Sequence, residues 1–558
     1  MAHKIRKDQN KVTKKIDAVN AGILFKIENW CSEHKSLIIN IIFILNLLFI
    51  ALHFNLKISE AHDDAMYIQD AYNFATNFFG FYTPNAPFYP MLLSPIIKFF
   101  GINLFLLKLT SVFFTIFNLM VFYFLFKDKI SYLVLFVVLF IQAVNHYFIY
   151  YSSVTFTEQY FLFLQSLFFF LFFKAYNKGG EEPLNKLSNA RFWIPSAFIL
   201  FIMTLSRNIA IAGVLPLILF FIIDKKFFNL FLFFICFIGF RIPFEIIRGL
   251  IWGSKNQFAA QASSLIVQKD PYDASKGTED LLGYFNRVVD NYGLYISKRF
   301  FQILGFLSEQ DMLVRPGLGL IFFIIGVFSL ILIIRKKNKY LILLSLYSVI
   351  MVGATFVAIQ KSWDQYRLIL VFIPFILVVI LEPIVKYSFL NKSILQSILL
   401  VFFIVILFNS LLNSVVKAEQ NWTVLNHNLK GDRYAGYTED WVNFLKISKW
   451  CGDSLPPSSY VASRKAPMSF IYANGKEFYP IYTVSSSNAD TILNELKSNN
   501  VTHVILASIR RNPNKSDGYI INTIHRLMQP VAQKYPDKFT LVKQIGESEP
   551  AYLYKINY

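Results

Sequence analysis

Glu60-Ala-His-Asp-Asp64, continued by Ala65-Met-Tyr67, sets three acids directly after the first long apolar run. A carboxylate there can take a proton from a hydroxyl or help to hold a metal. Asp63 and Asp64 also repel, which lifts the pKa of one of them. A solvated acidic loop would have the same composition. Glu158 stands in Thr155-Phe-Thr-Glu158 at the mouth of another apolar run. Acids at such places are costly and face a cavity or a partner. Thr155 or Thr157 could also cap the following helix, with Glu158 favouring its dipole. The two readings are compatible. Three cations fall at comparable depth: Lys108, Arg207 in Leu205-Ser-Arg-Asn208, and Arg367 in Trp363-Asp-Gln-Tyr-Arg367. Phosphate oxygens would explain them, since Arg binds such groups bidentately. Snorkelling toward lipid headgroups is the competing reading. His62 and His146 have no HxxxH or HExxH partner, so no metal is predicted. Gly179-Gly180 is no phosphate loop, because no GK[ST] follows.

The elements that must position these groups are membrane helices. Of 558 residues, 55% are hydrophobic and 16% are charged. Sixty-one Phe exceed what one aqueous core can hide. Apolar runs long enough to cross a ~30 Å slab recur along the chain. Eleven spans are expected, near 37–56, 103–126, 130–148, 157–174, 191–206, 208–223, 227–243, 316–334, 340–359, 367–386 and 393–415. The N-terminal stretch 1–36 is basic, from Lys4 to Lys35, and stays cytoplasmic. In that frame every inner loop is basic: Lys127 and Lys129, Lys174 to Arg191, Lys225 and Lys226, Arg335 to Lys339, Lys386 and Lys392. The net charge of +19 is thereby explained by topology, and nucleic-acid binding is not expected.

Two long loops, 57–101 and 244–315, are expected outside, with Tyr67 to Phe79 and Tyr284 to Phe306 as surface helices. The segment 416–558 is polar and reads as a small extracytoplasmic α/β domain. Its helices are expected at Trp441 to Trp450 and Asp490 to Ser498. Its strands are expected at 460–463, 501–506, 539–543 and 551–556. Cys31, Cys236 and Cys451 fall in different compartments and are not expected to pair. The first apolar run is too long for a cleaved signal core and reads as a signal anchor.

The ordered set of motifs resembles the GT-C glycosyltransferases, in the branch of protein O-mannosyltransferases and aminoarabinose lipid A transferases. Asp63-Asp-Ala-Met-Tyr67 matches a D-[DE]-A-x-Y-type motif after the first span, with Asp64 where Glu is common. Ala86-Pro-Phe-Tyr-Pro90 and Phe100-Gly101 follow, then Lys108, Thr155 to Glu158, Arg207, and Tyr366-Arg367 with Pro374. The resemblance covers about 36–386. It implies a polytopic α-helical fold and a sugar donor carried on polyprenyl phosphate. It also implies inverting transfer to a lipid, glycan or protein acceptor outside the cytoplasm of a bacterial inner membrane. On that reading Asp63 is the general base, and Lys108, Arg207 and Arg367 steady the leaving phosphate. Asp64 and Glu158 orient substrate, and Tyr67 and Trp363 stack on sugar. No cofactor is expected.

Three other readings compete. A lipid flippase or transporter would carry charge in mid-span or broken helices. A surface-polysaccharide polymerase or ligase would share the outward chemistry but lack an acidic motif after the first span. A non-catalytic binding domain on an anchor would not need eleven spans.

Overall fold

The computed structural model describes residues 22–83, 85–178, 189–253, 266–270, 276–360, 363–390, 393–511 and 519–558. The basic residues Lys4 to Lys15, Gly179-Gly180, Lys392 and part of the expected 244–315 loop lie outside the described residues. Among the described residues, each expected span coincides with helix. Seven helices are long and apolar enough to cross a membrane. They are Lys35–His53 (α1), Leu104–Phe126, Thr157–Lys178, Phe227–Trp252, Pro316–Lys336, Lys339–Ala358 and Ser393–Leu429. A bent pair, Tyr132–Val144 with His146–Ser152, makes an eighth. The expected fifth and sixth spans are shorter apolar helices, Ala190–Ser206 and Asn208–Ile223. The tenth is broken into Arg367–Leu370 and Ile373–Ser388. The chain is a multi-pass membrane protein.

The bend in the third span has a local cause. Asn145 turns extended between the two pieces, and its side-chain oxygen accepts from Tyr147 N at 3.1 Å. Its amide donates to Ile303 O at 2.7 Å. A capping side chain inside an apolar run thus ends one helix and starts another, turning the chain by 55°. Polar residues within the bundle are spent on interhelical bonds: Asn118 donates to Gln142 at 2.8 Å, and Ser166 donates to Asn118 at 2.7 Å. Tyr347 donates to Gln165 at 2.8 Å. Phe172, Trp193, Phe221 and Phe233 fill the space between helices. The outward faces stay apolar, as at Ile321, Phe323 and Ile324, which suits lipid.

After α1 the chain runs without regular structure through Lys57 and Ser59 into Asp63–Thr76 (α2). The last apolar helix does not stop where hydropathy falls but continues to Leu429. Beyond it stands a five-stranded sheet, in the order β2-β1-β3-β5-β4. The strands are β1 (Val461–Ser463), β2 (Phe478–Pro480), β3 (His503–Ala507), β4 (Phe539–Ile545) and β5 (Ala551–Ile556). β1 pairs in parallel with β2 and β3, and β5 pairs antiparallel with β3 and β4. Helices Glu439–Ser454 and Ala489–Ser498 lie where expected, with longer ends. β2 is a strand that sequence patterning does not predict.

The helix α2 packs between Phe88–Phe100 and Ala466–Tyr472 of the sheet domain. Asp70 on α2 accepts from Thr83 Oγ1 at 2.8 Å, and burial pushes its carboxyl up from 3.8 to about 7. Folding therefore favours the protonated form. Its stabilising contribution is full below the unfolded pKa and is lost as pH rises through about 7. The purified wild type should melt at progressively lower temperature between roughly pH 4 and pH 7. Asp70→Asn, whose amide oxygen still accepts from Thr83, should flatten that dependence. Parallel melting curves for the two proteins across this range would remove Asp70 as the cause.

Candidate active site

The first turn of α2 carries both motif acids, where the helix dipole favours negative charge. His62 precedes them in a left-handed conformation, φ 64°, which redirects the chain into the helix. Asp63 and Asp64 then diverge. The Asp64 side chain turns inward, 1% exposed, and accepts from Ser59 N at 2.9 Å and Ala65 N at 3.0 Å. Burial raises its pKa, and the nearby Lys108 charge opposes that rise. Asp63 stays partly exposed and forms an ion pair with Arg367 Nη2.

Arg367 is the hub. It lies at the start of a one-turn helix, its Nε donates to Gln365 Oε1 at 2.7 Å, and its guanidinium stands over Phe156 at 5.0 Å. Its Nη1 lies 4.0 Å from Glu158 Oε1. Glu158, 2% exposed, sits in the first turn of Thr157–Lys178 and accepts from Arg207 Nη1 at 3.0 Å. Arg207 follows the Ala190–Ser206 helix in extended backbone and covers Phe161 at 5.6 Å. Asp63, Arg367, Glu158 and Arg207 therefore form one alternating chain of charge across four distant segments. The other Glu158 oxygen is buried without a protein partner, and so is Thr155 Oγ1. Thr155 is accordingly not acting as a cap. Tyr67 lies one turn beyond Asp63, edge-on to Tyr89, within the fields of Arg367 and Glu158.

Lys108 is placed otherwise than expected for a phosphate ligand. It is 1% exposed, and its Nζ donates to Lys57 O at 2.5 Å and Ser153 O at 2.8 Å. The ammonium thus ties the segment after α1 to the turn before Glu158. Trp363 is partly buried in the segment that leads to Arg367. His62 and His146 are not brought together. His62 packs edge-on to Tyr482, and burial lowers its pKa to about 3. His146 pairs with Glu309 at 2.7 Å. Among the described residues no three His, Cys, Asp or Glu side chains are grouped to hold a metal ion.

Sequence reasoning missed the contribution of the sheet domain. Lys465, after β1, donates from Nζ to Glu60 O at 2.6 Å, and burial brings its pKa down to about 8. Arg464 beside it lies over Tyr482 at 5.8 Å. Nothing in the sequence joins residue 465 to residue 60, because only the tertiary fold brings them together.

No family model matches this sequence, and no curated protein matches it. Solved structures do. The archaeal oligosaccharyltransferase AglB from Archaeoglobus fulgidus, in complex with an inhibitory peptide and a dolichol-phosphate, aligns with TM-score 0.56 at 11% identity. The alignment covers 95% of this chain and 75% of that one. The Archaeoglobus fulgidus oligosaccharyltransferase in the apo form aligns with TM-score 0.55 at 13% identity, over 85% of this chain and 69% of that one. ArnT from Cupriavidus metallidurans bound to undecaprenyl phosphate aligns with TM-score 0.49 at 10% identity, over 92% and 97%. The chain has the GT-C fold. Within that GT-C fold the charged chain lies where α2 meets the membrane helices.

Lys108 gives a discriminating test. Lys108→Met leaves two carbonyls and Asp64 without their cation, so it should destabilise the protein by on the order of 3 kcal/mol. The loss should appear as a lower melting temperature of the purified protein without any ligand. A variant of normal stability would show that the buried ammonium is dispensable to the fold.

Proposed function

We propose that this chain is a membrane glycosyltransferase that moves a sugar from a polyprenyl-phosphate donor to an acceptor hydroxyl on the extracytoplasmic side. In this reading the N-terminus is cytoplasmic, the sheet domain is extracytoplasmic, and the membrane is a bacterial inner membrane. The observation that carries it is the alternating chain Asp63–Arg367–Glu158–Arg207 on a GT-C fold. One structure of this fold, AglB, holds a dolichol-phosphate. That supports a lipid phosphate as the donor class here.

Asp63 is the candidate base, since it is the more exposed of the two motif acids. In the resting protein it is paired with Arg367. An arriving phosphate competes for the same guanidinium. As Arg367 turns toward phosphate, the Asp63 carboxylate is released from its ion pair. Asp63 then takes the proton from the acceptor hydroxyl. The acceptor oxygen forms the new bond to the anomeric carbon with inversion. The bond from that carbon to the phosphate oxygen breaks, and its electron pair leaves on polyprenyl phosphate. Arg207 and Arg367 stabilise that developing charge in a poorly solvated setting. Glu158 holds both guanidinium groups in place. Tyr67 and Trp363 are candidate faces for sugar. Asp64 and Lys108 act on the position of Asp63 rather than on substrate.

The test is transfer of label from polyprenyl-phosphate sugars by the purified protein, to water or to a crude envelope acceptor. Asp63→Asn should cost roughly 10²–10⁴-fold in rate, and Arg207→Gln roughly 10²–10³-fold, with each rate normalised to the folded protein that a melting curve records. Near-normal turnover by Asp63→Asn would remove it as the base. If wild type binds lipid donors but never turns them over, a lipid-sugar flippase becomes the better reading.

A further inference from the structure

The loops that follow β1 and β2 meet the acidic turn. β2, β1 and β3 are parallel, so their carboxyl ends share one edge of the sheet, where open α/β sheets bind ligands. Arg464 and Lys465 follow β1 on that edge, and Tyr482 follows β2. Ile481 N–H donates to Ser463 O at 3.0 Å, which sets the two loops side by side. The Arg464 guanidinium lies 5.8 Å from the Tyr482 ring, and that ring lies 5.8 Å from the ring of His62. His62 is the chain neighbour of Asp63. A surface thus runs from Arg464 across Tyr482 to the proposed base. It is open to solvent: Tyr482 is 43% exposed, the Asp63 side chain is 34% exposed, and Arg464 and His62 are partly exposed.

The charge on this surface is unbalanced. Each acid of the turn has its own cation: Asp63 pairs with Arg367, Glu60 pairs with Lys57, and Asp64 lies in the field of Lys108. Arg464 and Lys465 are left over. Lys465 is buried, with its Nζ on Glu60 O. Arg464 donates from Nε to Thr523 Oγ1 at 3.3 Å, and among the described residues no carboxylate stands within ion-pair distance of it. Its contact with Tyr482 offsets little of that lack. Helix Thr523–Lys534 starts at the same place without a side-chain cap, so its dipole adds a further positive pole. An anion would meet the guanidinium fork bidentately, and the exposed Tyr482 ring suits the apolar face of a sugar. A neutral glycan would leave the cation unmet, and a bare phosphate would leave the ring idle.

We infer that this edge binds the acceptor as an acidic saccharide, with its carboxylate or phosphate on Arg464, its ring against Tyr482 and a hydroxyl toward Asp63. The inference rests on the glycosyl-transfer reading and adds the acceptor class. The donor phosphate is assigned to Arg207 and Arg367, so the two substrates reach Asp63 from different sides.

The experiment titrates the full chain in detergent with digalacturonic acid, glucose 6-phosphate, maltose and an acidic serine-containing tripeptide, read by saturation-transfer NMR. Arg464→Gln, Arg464→Lys and Tyr482→Leu are measured alongside. Lys543→Gln is the control, because it removes an exposed cation from β4 at the far edge of the sheet. At least one acidic saccharide should bind the wild type more tightly than maltose, and the carboxylate and phosphate arms show which anion is used. Arg464→Gln should weaken that binding roughly 10- to 100-fold, and Tyr482→Leu roughly three- to tenfold. Arg464→Lys keeps the charge without the fork, so it should lose less than Arg464→Gln. It also keeps the test valid where Arg464→Gln unfolds. Lys543→Gln should bind as wild type does. Label from polyprenyl-phosphate sugars should pass to the bound acidic saccharide in preference to maltose. The inference is overturned if neither acidic saccharide binds, if the peptide binds in their place, if Lys543→Gln costs as much as Arg464→Gln, or if label shows no such preference. Turnover to water without acidic-saccharide binding removes the inference and leaves the glycosyl-transfer reading standing. Acidic-saccharide binding without turnover of any lipid donor removes that reading, and the acceptor role falls with it.

Discussion

A charge at the mouth of a membrane helix must be paired or it destabilises the fold, and here one guanidinium meets that demand for two acids. Arg367 pairs with Asp63, 304 residues away in sequence, and stands 4.0 Å from Glu158. Glu158 in turn holds Arg207. Removing one partner from such an arrangement strands another charge in a poorly solvated place. The four residues therefore locate four segments relative to each other: the start of α2, the loop before Ile373–Ser388, the start of Thr157–Lys178, and the end of Ala190–Ser206. A charged group brought to these residues would have to compete with one of these pairings.

The irregular backbone around this chain of charge is possible because buried donors meet its carbonyls. Extended chain near a bilayer exposes peptide groups that lipid cannot satisfy. Lys108 supplies donors to Lys57 O and Ser153 O, two carbonyls from separate non-helical stretches. Asn145 does similar work where the third span bends, capping one piece and reaching Ile303 O. The spans of a GT-C fold are thus interrupted where polar side chains replace the lost helical bonds.

Much of this was legible in the sequence. Among the described residues the expected spans fall on helix, the third and tenth in two pieces each, because hydropathy alone reports a ~30 Å requirement. Asp63, Glu158, Arg207 and Arg367 were legible for a related reason: charge beside lipid is expensive, so its presence signals a partner. The partners were not legible. Lys108 shares that cost, yet it answers carbonyls rather than an anion, and backbone acceptors leave no trace in residue identity. The bend at Asn145 was hidden inside a continuous apolar run. β2 was hidden because three residues ending in Pro480 carry no alternation to detect. The continuation of Ser393–Leu429 past residue 415 was hidden because helix outlasts hydropathy when its later turns face water and neighbouring chain.

The contribution of the sheet domain follows from the same electrostatics. The N-terminus of α2 carries two acids after a left-handed His62, a backbone state that costs on the order of 1–2 kcal/mol for a residue with a side chain. Such a turn persists only where its surroundings over-determine it. From the membrane side Arg367 and Lys108 hold it through Asp63, Asp64 and Lys57. From the opposite side Lys465 holds Glu60 O, and Tyr482 packs on the His62 ring. Burial keeps that imidazole neutral, so it adds no third charge to the acids beside it. The small domain thus closes the geometry of the acidic turn that the membrane helices begin. Its last contact, a lysine amine whose pKa burial lowers to about 8, brings a cation to the turn while leaving Asp63 to Arg367.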